Sequence, residues 1–281
     1  MNIPARWKLI AKRIREVGAD AYLVKNPSNV RYLHCPTIPQ DMLTALVVFR
    51  NARAVGIVSA LESHRARDVN PDMEYHVIGN LPGVSTSSKN LKQGIKAVLE
   101  GADTVLTDSV ERIRGVKFKK DSHLDKIRQS KEAEEIRYIK RACAITDKAA
   151  EGLVEFLRPG VTEMEVAEEI DRLMMANGAQ GTAFSTIVAF GKNSGYPHHY
   201  PTKKKLRARD VVVCDFGAMY NGYCADMTRS YFIGTPTRKM KDVYEAVRES
   251  QAAGIKSAKL DMPTKAIDKA CRDVIKEYGF G

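Results

Sequence analysis

The sequence predicts an α/β protein in two parts. An N-terminal α/β layer domain covers residues 1–125, and a duplicated α+β domain, incomplete in its C-terminal half, covers residues 126–281. Three observations predict this. Short strand-like runs alternate with helix-length periodic segments up to about residue 125, the pattern of a layered α/β domain. A long helix followed by a short one then occurs twice, as an internal duplication. Three strand-like runs follow the first pair, at Ala183–Phe190, Val211–Gly217 and Tyr223–Ile233, whereas the sequence stops at Phe280-Gly281 after the second. Equivalent halves would leave strand edges and apolar surface of the first sheet uncovered.

In order along the chain, Trp7, Ile10, Ile14 and Val17 recur at helical spacing, closed by Gly18. Asp20–Val24 is a short strand, and Asn26-Pro27-Ser28 turns the chain. Leu43–Phe49 and Ala54–Ser59 are strands around Asn51-Ala52. A helix over Leu61–Asp68, a strand over Tyr75–Ile78, a helix over Leu91–Leu99 and a strand over Thr104–Thr107 complete the domain. The boundary falls within Asp121–Ser130. A long helix capped by Ser130 carries Glu132, Glu134 and Glu135 in its first turn, where the helix dipole favours acids. It is expected to reach Leu157, before Pro159-Gly160. Thr162-x-x-Glu165 is a capping box; Val166, Ile170, Leu173 and Met174 stripe the next helix, which ends near Asn177-Gly178. The second copy runs from Tyr244 to Ala258, restarts at Thr264, carries a stripe of Ile267, Cys271 and Ile275, and ends at Tyr278-Gly279.

Composition narrows the function. With 44% hydrophobic and 28% charged residues, the chain is an ordinary globular one. No run approaches the roughly 18 apolar residues of a membrane span. The first twenty residues lack the apolar core of a signal peptide, so a cytoplasmic location is expected. Five widely spaced cysteines without C-x-x-C argue against a disulfide frame or a thiolate zinc site. The net charge of +11 concentrates at Lys203–Arg209 and around Arg112–Lys120. No zinc finger or aromatic RNA-stacking motif accompanies it, so a solvated basic surface is favoured over a nucleic-acid site.

The chemistry centres on Asp210–Ile233. Asn221-Gly222 between two apolar runs is a strong hairpin signal, because both central residues of a type I′ turn need positive φ. Such a turn sets Tyr220 opposite Tyr223 and, counting back, Asp215 opposite Thr228. Asp226 then lies diagonal to Asp215, about 7–8 Å away. Val211–Cys214 reads as a strand buried on both faces. Two carboxylates on a buried hairpin must bind a proton or a cation; on a half-exposed strand they would simply be solvated. His198-His199, the only histidine pair, lies in a turn-rich loop leading into this sheet, which suits a catalytic or ligand role; the alternative is a solvated surface pair. His34, His64, His76 and His123 are isolated and read as structural. Gly191-Lys192-Asn193-Ser194 lacks P-loop spacing, and there is no G-x-S-x-G elbow. Carboxylates with a histidine suit a divalent metal for hydrolysis, although two aspartates alone are too few ligands for two ions.

Pro197-His198, a basic loop, Asp215-Phe216-Gly217, Gly222-Tyr223-x-x-Asp226 and Thr228-Arg229 together resemble the metal-site segment of the pita-bread metallopeptidases, the creatinase/prolidase superfamily. Xaa-Pro dipeptidases are most similar, with aminopeptidases P next. Lys131–Ile136 and Arg158–Thr162 agree with the pattern, and Asn26–Leu33 extends it weakly into the first domain. The resemblance implies two divalent ions (manganese, cobalt or zinc), with Asp215 binding one or both and Asp226 bridging them. It implies that His198 steadies the scissile amide or tetrahedral intermediate in the substrate pocket. A metal-activated hydroxide would cleave the bond before proline in an Xaa-Pro dipeptide or short peptide, in a homodimer. One histidine and two glutamates of the implied ligand set would lie beyond Gly281, so activity is expected of a longer form. The competing readings are a non-catalytic pita-bread binding module, supported by the positive charge, and metal-free creatinase-like hydrolysis. Clustered acids oppose both.

Overall fold

The computed structural model describes residues 2–35, 37 and 42–281. The chain divides into two compact units, one of residues 1–148, 174–184 and 217–226, the other of residues 149–173, 185–216 and 227–281.

The first unit is built on a six-stranded mixed sheet. Its strands are β1 (Ala21–Val24), β2 (Leu43–Phe49), β3 (Ala54–Ser59), β4 (Glu74–Ile78), β5 (Thr104–Thr107) and β6 (Lys117–Lys120), in the order β4-β3-β2-β1-β5-β6. The pairs β1–β2 and β2–β3 are antiparallel, and the remaining pairs are parallel. Strand alternation sorts the side chains onto two faces. Tyr22 and Val24 join Trp7, Ile10 and Ile14 of α1 (Ile3–Glu16) in one core, whereas Ala21 and Leu23 join Ile95 and Leu99 in the other. Each fully buried aliphatic side chain contributes roughly 1.5–3 kcal/mol, so covering both faces is what holds the layer together.

The helices of this unit are α2 (Pro27–His34), α3 (Ser63–Val69), α4 (Leu91–Val98) and α5 (His123–Gln129). The turn expected at Asn26-Pro27-Ser28 is instead the start of α2. The Asn26 side chain accepts from the Ser28 and Asn29 amides, and Pro27 occupies the first helical position, where its missing N–H costs nothing. Two further elements escaped the sequence reading. The Lys-Phe-Lys-Lys strand β6 shows no apolar alternation, and α5 occupies the expected boundary segment.

The helix α6 covers Ala133–Leu153 rather than 130–157. At its start the Glu135 carboxylate, not Ser130, accepts the Glu132 amide at 2.8 Å. After Leu153 the amide of Phe156 closes a tight turn on the Leu153 carbonyl. The next helix, α7 (Glu163–Ala176), opens on the expected capping box, with Glu165 N to Thr162 Oγ1 at 3.2 Å and Thr162 N to Glu165 Oε2 at 2.7 Å. The repeat is visible in length: α6 and α7 have 21 and 14 residues, α8 (Arg238–Ser257) and α9 (Thr264–Glu277) have 20 and 14. Both short helices are followed two residues on by a glycine of positive φ, Gly178 (99°) and Gly279 (77°), the left-handed stop that favours glycine.

The remaining strands form two three-stranded sheets. In the first unit β7 (Gly181–Thr182), β10 (Ala218–Tyr220) and β11 (Tyr223–Cys224) are ordered β11-β10-β7; in the second, β8 (Ile187–Phe190), β9 (Val211–Phe216) and β12 (Met227–Phe232) are ordered β12-β9-β8. Of the single run expected over Ala183–Phe190 only Ile187–Phe190 is a strand, β8, while β7 lies just before the run and in the other sheet.

Candidate metal and substrate site

The Asn221-Gly222 turn has the expected geometry, with φ of 47° and 75°. Tyr220 pairs with Tyr223, and Asp215 with Thr228, so the predicted register holds along the whole hairpin. Its ladder is interrupted midway, between the Phe216–Met227 pair and the Ala225 N–Ala218 O bond of 2.9 Å. Gly217 sits at the break. A Cβ there would lie 1.9 Å from the Ala225 carbonyl oxygen, so only glycine lets the two backbones approach this closely. On one side of the break the strands belong to the first unit, on the other to the second. Asp226 belongs to the first unit and Asp215 to the second.

Strand β9 is buried on one face only. Val212, Cys214 and Phe216 point inward, while Val211, Val213 and Asp215 are half-buried. The expectation of burial on both faces is therefore corrected: in a three-stranded sheet whose neighbouring strand β12 is largely exposed, the second face of β9 stays partly wet. Asp215 is half-buried and Asp226 exposed. Thr228 Oγ1 donates to Asp215 Oδ1 at 3.0 Å. Among the described residues no lysine, arginine or histidine pairs with either aspartate. These carboxylates are hard oxygen donors with unshared lone pairs, and they fit a divalent cation in kind. They fall short in number: no group of three or more His, Cys, Asp or Glu placed to hold a metal occurs among the described residues. Cys214 is no candidate ligand, since burial pushes its thiol up to about 12 and keeps it protonated. Cys224 is exposed, and all five cysteines are free.

His198 is exposed, and its ring makes no hydrogen bond among the described residues. Its neighbour His199 is anchored. His199 Nε2 lies 2.9 Å from Oε2 of Glu163, a carboxylate with no exposed surface. Burial raises the pKa of Glu163, but donors from Thr202, His199, Phe190 and Asn193 outweigh it and hold the group below its ordinary value. Sequence reasoning missed this residue, because an acid in the first turn of a helix ordinarily reads as a solvated partner of the helix dipole.

The hairpin tip has its own anchor within the first unit. Tyr223 Oη donates to Glu135 Oε1 at 2.7 Å. Glu135 is 3.5 Å from the Arg6 guanidinium, which also bonds Glu132 at 3.0 Å and the Tyr32 carbonyl at 2.9 Å. Behind the tip, Thr146 Oγ1 accepts the Ala218 amide at 3.0 Å. His34 bonds the Tyr75 hydroxyl and His76 that of Ser88, which makes both structural, as expected.

Two aspartates on the hairpin, without a basic partner among the described residues, and a histidine on the loop preceding it are donor types that suit a divalent metal. Comparison with known proteins gives the family. The description of metallopeptidase family M24 matches residues 137–281. The Xaa-Pro dipeptidase of Pyrococcus furiosus is 32% identical over 279 residues, covering 98% of this chain and 78% of that protein. Among solved structures, an Xaa-Pro dipeptidase from Bacillus anthracis superposes with a TM-score of 0.85 at 28% identity, covering 99% of this chain and 79% of that one. An X-Pro aminopeptidase from Thermotoga maritima superposes with a TM-score of 0.81 at 27% identity, covering 98% and 78%. The chain belongs to metallopeptidase family M24, and its fold is the α/β pita-bread arrangement of its prolidase neighbours.

Proposed function

We propose that this protein, in its full-length form, is a metal-dependent Xaa-Pro dipeptidase, cleaving the peptide bond before proline in a dipeptide or short peptide, with Asp215 and Asp226 as metal ligands and His198 facing the substrate. The observation that carries the reading is the 32% identity over nearly the whole chain to an Xaa-Pro dipeptidase, with Asp215 and Asp226 on one hairpin and no basic partner for either among the described residues. A divalent ion pair, manganese, cobalt or zinc, would polarise the scissile carbonyl and bring the pKa of water towards neutrality. Thr228 orients Asp215 by donating to one oxygen, leaving the other for the cation. His198, whose ring has no partner among the described residues, is available to hydrogen-bond the substrate amide or the oxygen on which charge develops.

The division at residue 125 belongs to the same proposal, supported by the family match starting at residue 137. So do a homodimer and a cytoplasmic location; among the described residues no helix is long and apolar enough to cross a membrane. Aminopeptidase P activity is the second reading, favoured by the likeness to the Thermotoga aminopeptidase. The test measures bound metal and hydrolysis of Xaa-Pro dipeptides and of longer Xaa-Pro peptides. Asp226→Asn is expected to lose metal from the shared position and activity with it; unchanged metal content in that variant refutes the ligand assignment. Cleavage of tripeptides but not dipeptides selects the aminopeptidase.

A further inference from the structure

Glu163 is the first residue of α7, and its carboxylate is completely buried. Oε1 accepts from the Phe190 amide and from Asn193 Nδ2, each at 2.8 Å. Oε2 accepts from His199 Nε2 at 2.9 Å, from the Thr202 amide at 3.0 Å and from Thr202 Oγ1 at 2.6 Å. Every donor lies on the segment from Phe190 to Thr202, the connection that carries His198. Two donors stand at its entry and three at its exit. The backbone reinforces the exit, with Glu163 N to Lys204 O at 3.1 Å and Met164 N to Thr202 O at 3.2 Å.

A desolvated carboxylate would be costly alone; with five donors it is satisfied and fixes the position of each. An ionised carboxylate only accepts, so His199 Nε2 must carry its proton. The 3.3 Å approach of Asn193 Nδ2 to the same nitrogen is then not a hydrogen bond. His198 has no such tether among the described residues, so its place is set by the backbone on either side of it.

Building on the peptidase reading, we propose that Glu163 is a positioning residue for His198: it clasps both ends of the Phe190–Thr202 loop and locks the adjacent His199 as an Nε2 donor. The clasp holds the free imidazole of His198 where the substrate must meet it.

The test compares the wild-type chain with Glu163→Gln and His199→Ala by amide hydrogen exchange and by NMR of 15N-labelled histidine. Losing a bond to a charged group is expected to speed exchange of amides within residues 191–203 by about tenfold or more, while Val212 and Cys214 in β9 keep their protection. The His199 Nε2 signal is expected to show a bound proton in wild type and to lose that fixed tautomer in Glu163→Gln; the His198 ring signals should shift in both variants. Wild-type loop exchange, or unmoved His198 signals, overturns the proposal. His199→Ala retains the carboxylate and four of its donors, so it decides the matter if Glu163→Gln does not fold. In the full-length enzyme, on an Xaa-Pro dipeptide with manganese, both variants should lose about tenfold or more in kcat with KM little changed; an unaltered kcat also overturns it. If the full-length enzyme with its whole ligand set cleaves no Xaa-Pro bond with any metal, the peptidase reading fails, and exchange and histidine NMR alone decide whether the clasp exists.

Discussion

Replacing Gly217 by alanine adds one methyl group at the break in the hairpin. An ideal Cβ would sit 1.9 Å from the Ala225 oxygen, 2.7 Å from the Ala225 carbonyl carbon and 3.3 Å from the Asp226 Cα. Contacts under 3.0 Å essentially do not occur, so the strands must part by at least 3.0 − 1.9 = 1.1 Å. Both obstacles are backbone, and no side-chain rotation relieves them. Overpacking of this kind costs about 1–3 kcal/mol. Parting the strands also strains the 2.9 Å Ala225–Ala218 hydrogen bond, worth about 1 kcal/mol. The expected loss is therefore roughly 2–4 kcal/mol, or about 3–7 °C in Tm for a chain of this size. Differential scanning calorimetry measures it, with metal content read in parallel because Asp226 borders the clash. Gly195→Ala is the control, since a Cβ there meets nothing within 4 Å, and it should leave Tm within about 2 °C of wild type. A Gly217→Ala protein with wild-type Tm and wild-type metal content would refute the argument that this close approach builds the hairpin.

Two further predictions concern buried charge and pH. Arg6→Ala removes a guanidinium that is 1% exposed and leaves Glu135, 3% exposed, without its cation; breaking such a pair should cost about 3–5 kcal/mol in urea unfolding. Adding Glu135→Gln should cost less than the sum of the single changes, and strict additivity would show that the two do not couple. Burial lowers the His34 pKa from 6.5 to about 4. The unfolded chain therefore binds a proton at higher pH than the folded one. Stability from neutral His34 is complete above pH 6.5 and falls as pH drops towards 4, by about 3 kcal/mol in all. His34→Gln should flatten that part of the stability curve; an unchanged slope excludes His34 as its source.

Much of this molecule is legible in its residues because the signals are local. Asn221-Gly222 sets a turn whose two positive φ angles fix the register as far as Phe232, so the Asp215–Thr228 pair follows by counting. Thr162 and Glu165 satisfy each other's amides three residues apart, and glycines two residues beyond α7 and α9 stop both. Asn26-Pro27 carried a helix-start signal that a turn reading overlooked. Glu163 and Arg6 could not be read this way. Glu163 looks like any acid in a first helical turn, yet its five bonds come from residues 27 to 39 positions later. Arg6 looks like one basic residue among 45, yet it is buried against glutamates 126 and 129 positions away.

By itself the sequence determined the α/β class, the repeated helix pair, the hairpin register and the presence of two carboxylates and a histidine of the kinds that suit a divalent cation, because spacing and turn chemistry act over a few residues. Tertiary structure alone decided that the hairpin divides at Gly217 between two sheets, that β9 buries one face rather than two, and that a buried carboxylate clasps the histidine loop. Each depends on which distant backbone or donor arrives at that point, and a desolvated charge is stable only where the whole fold brings its partners to it.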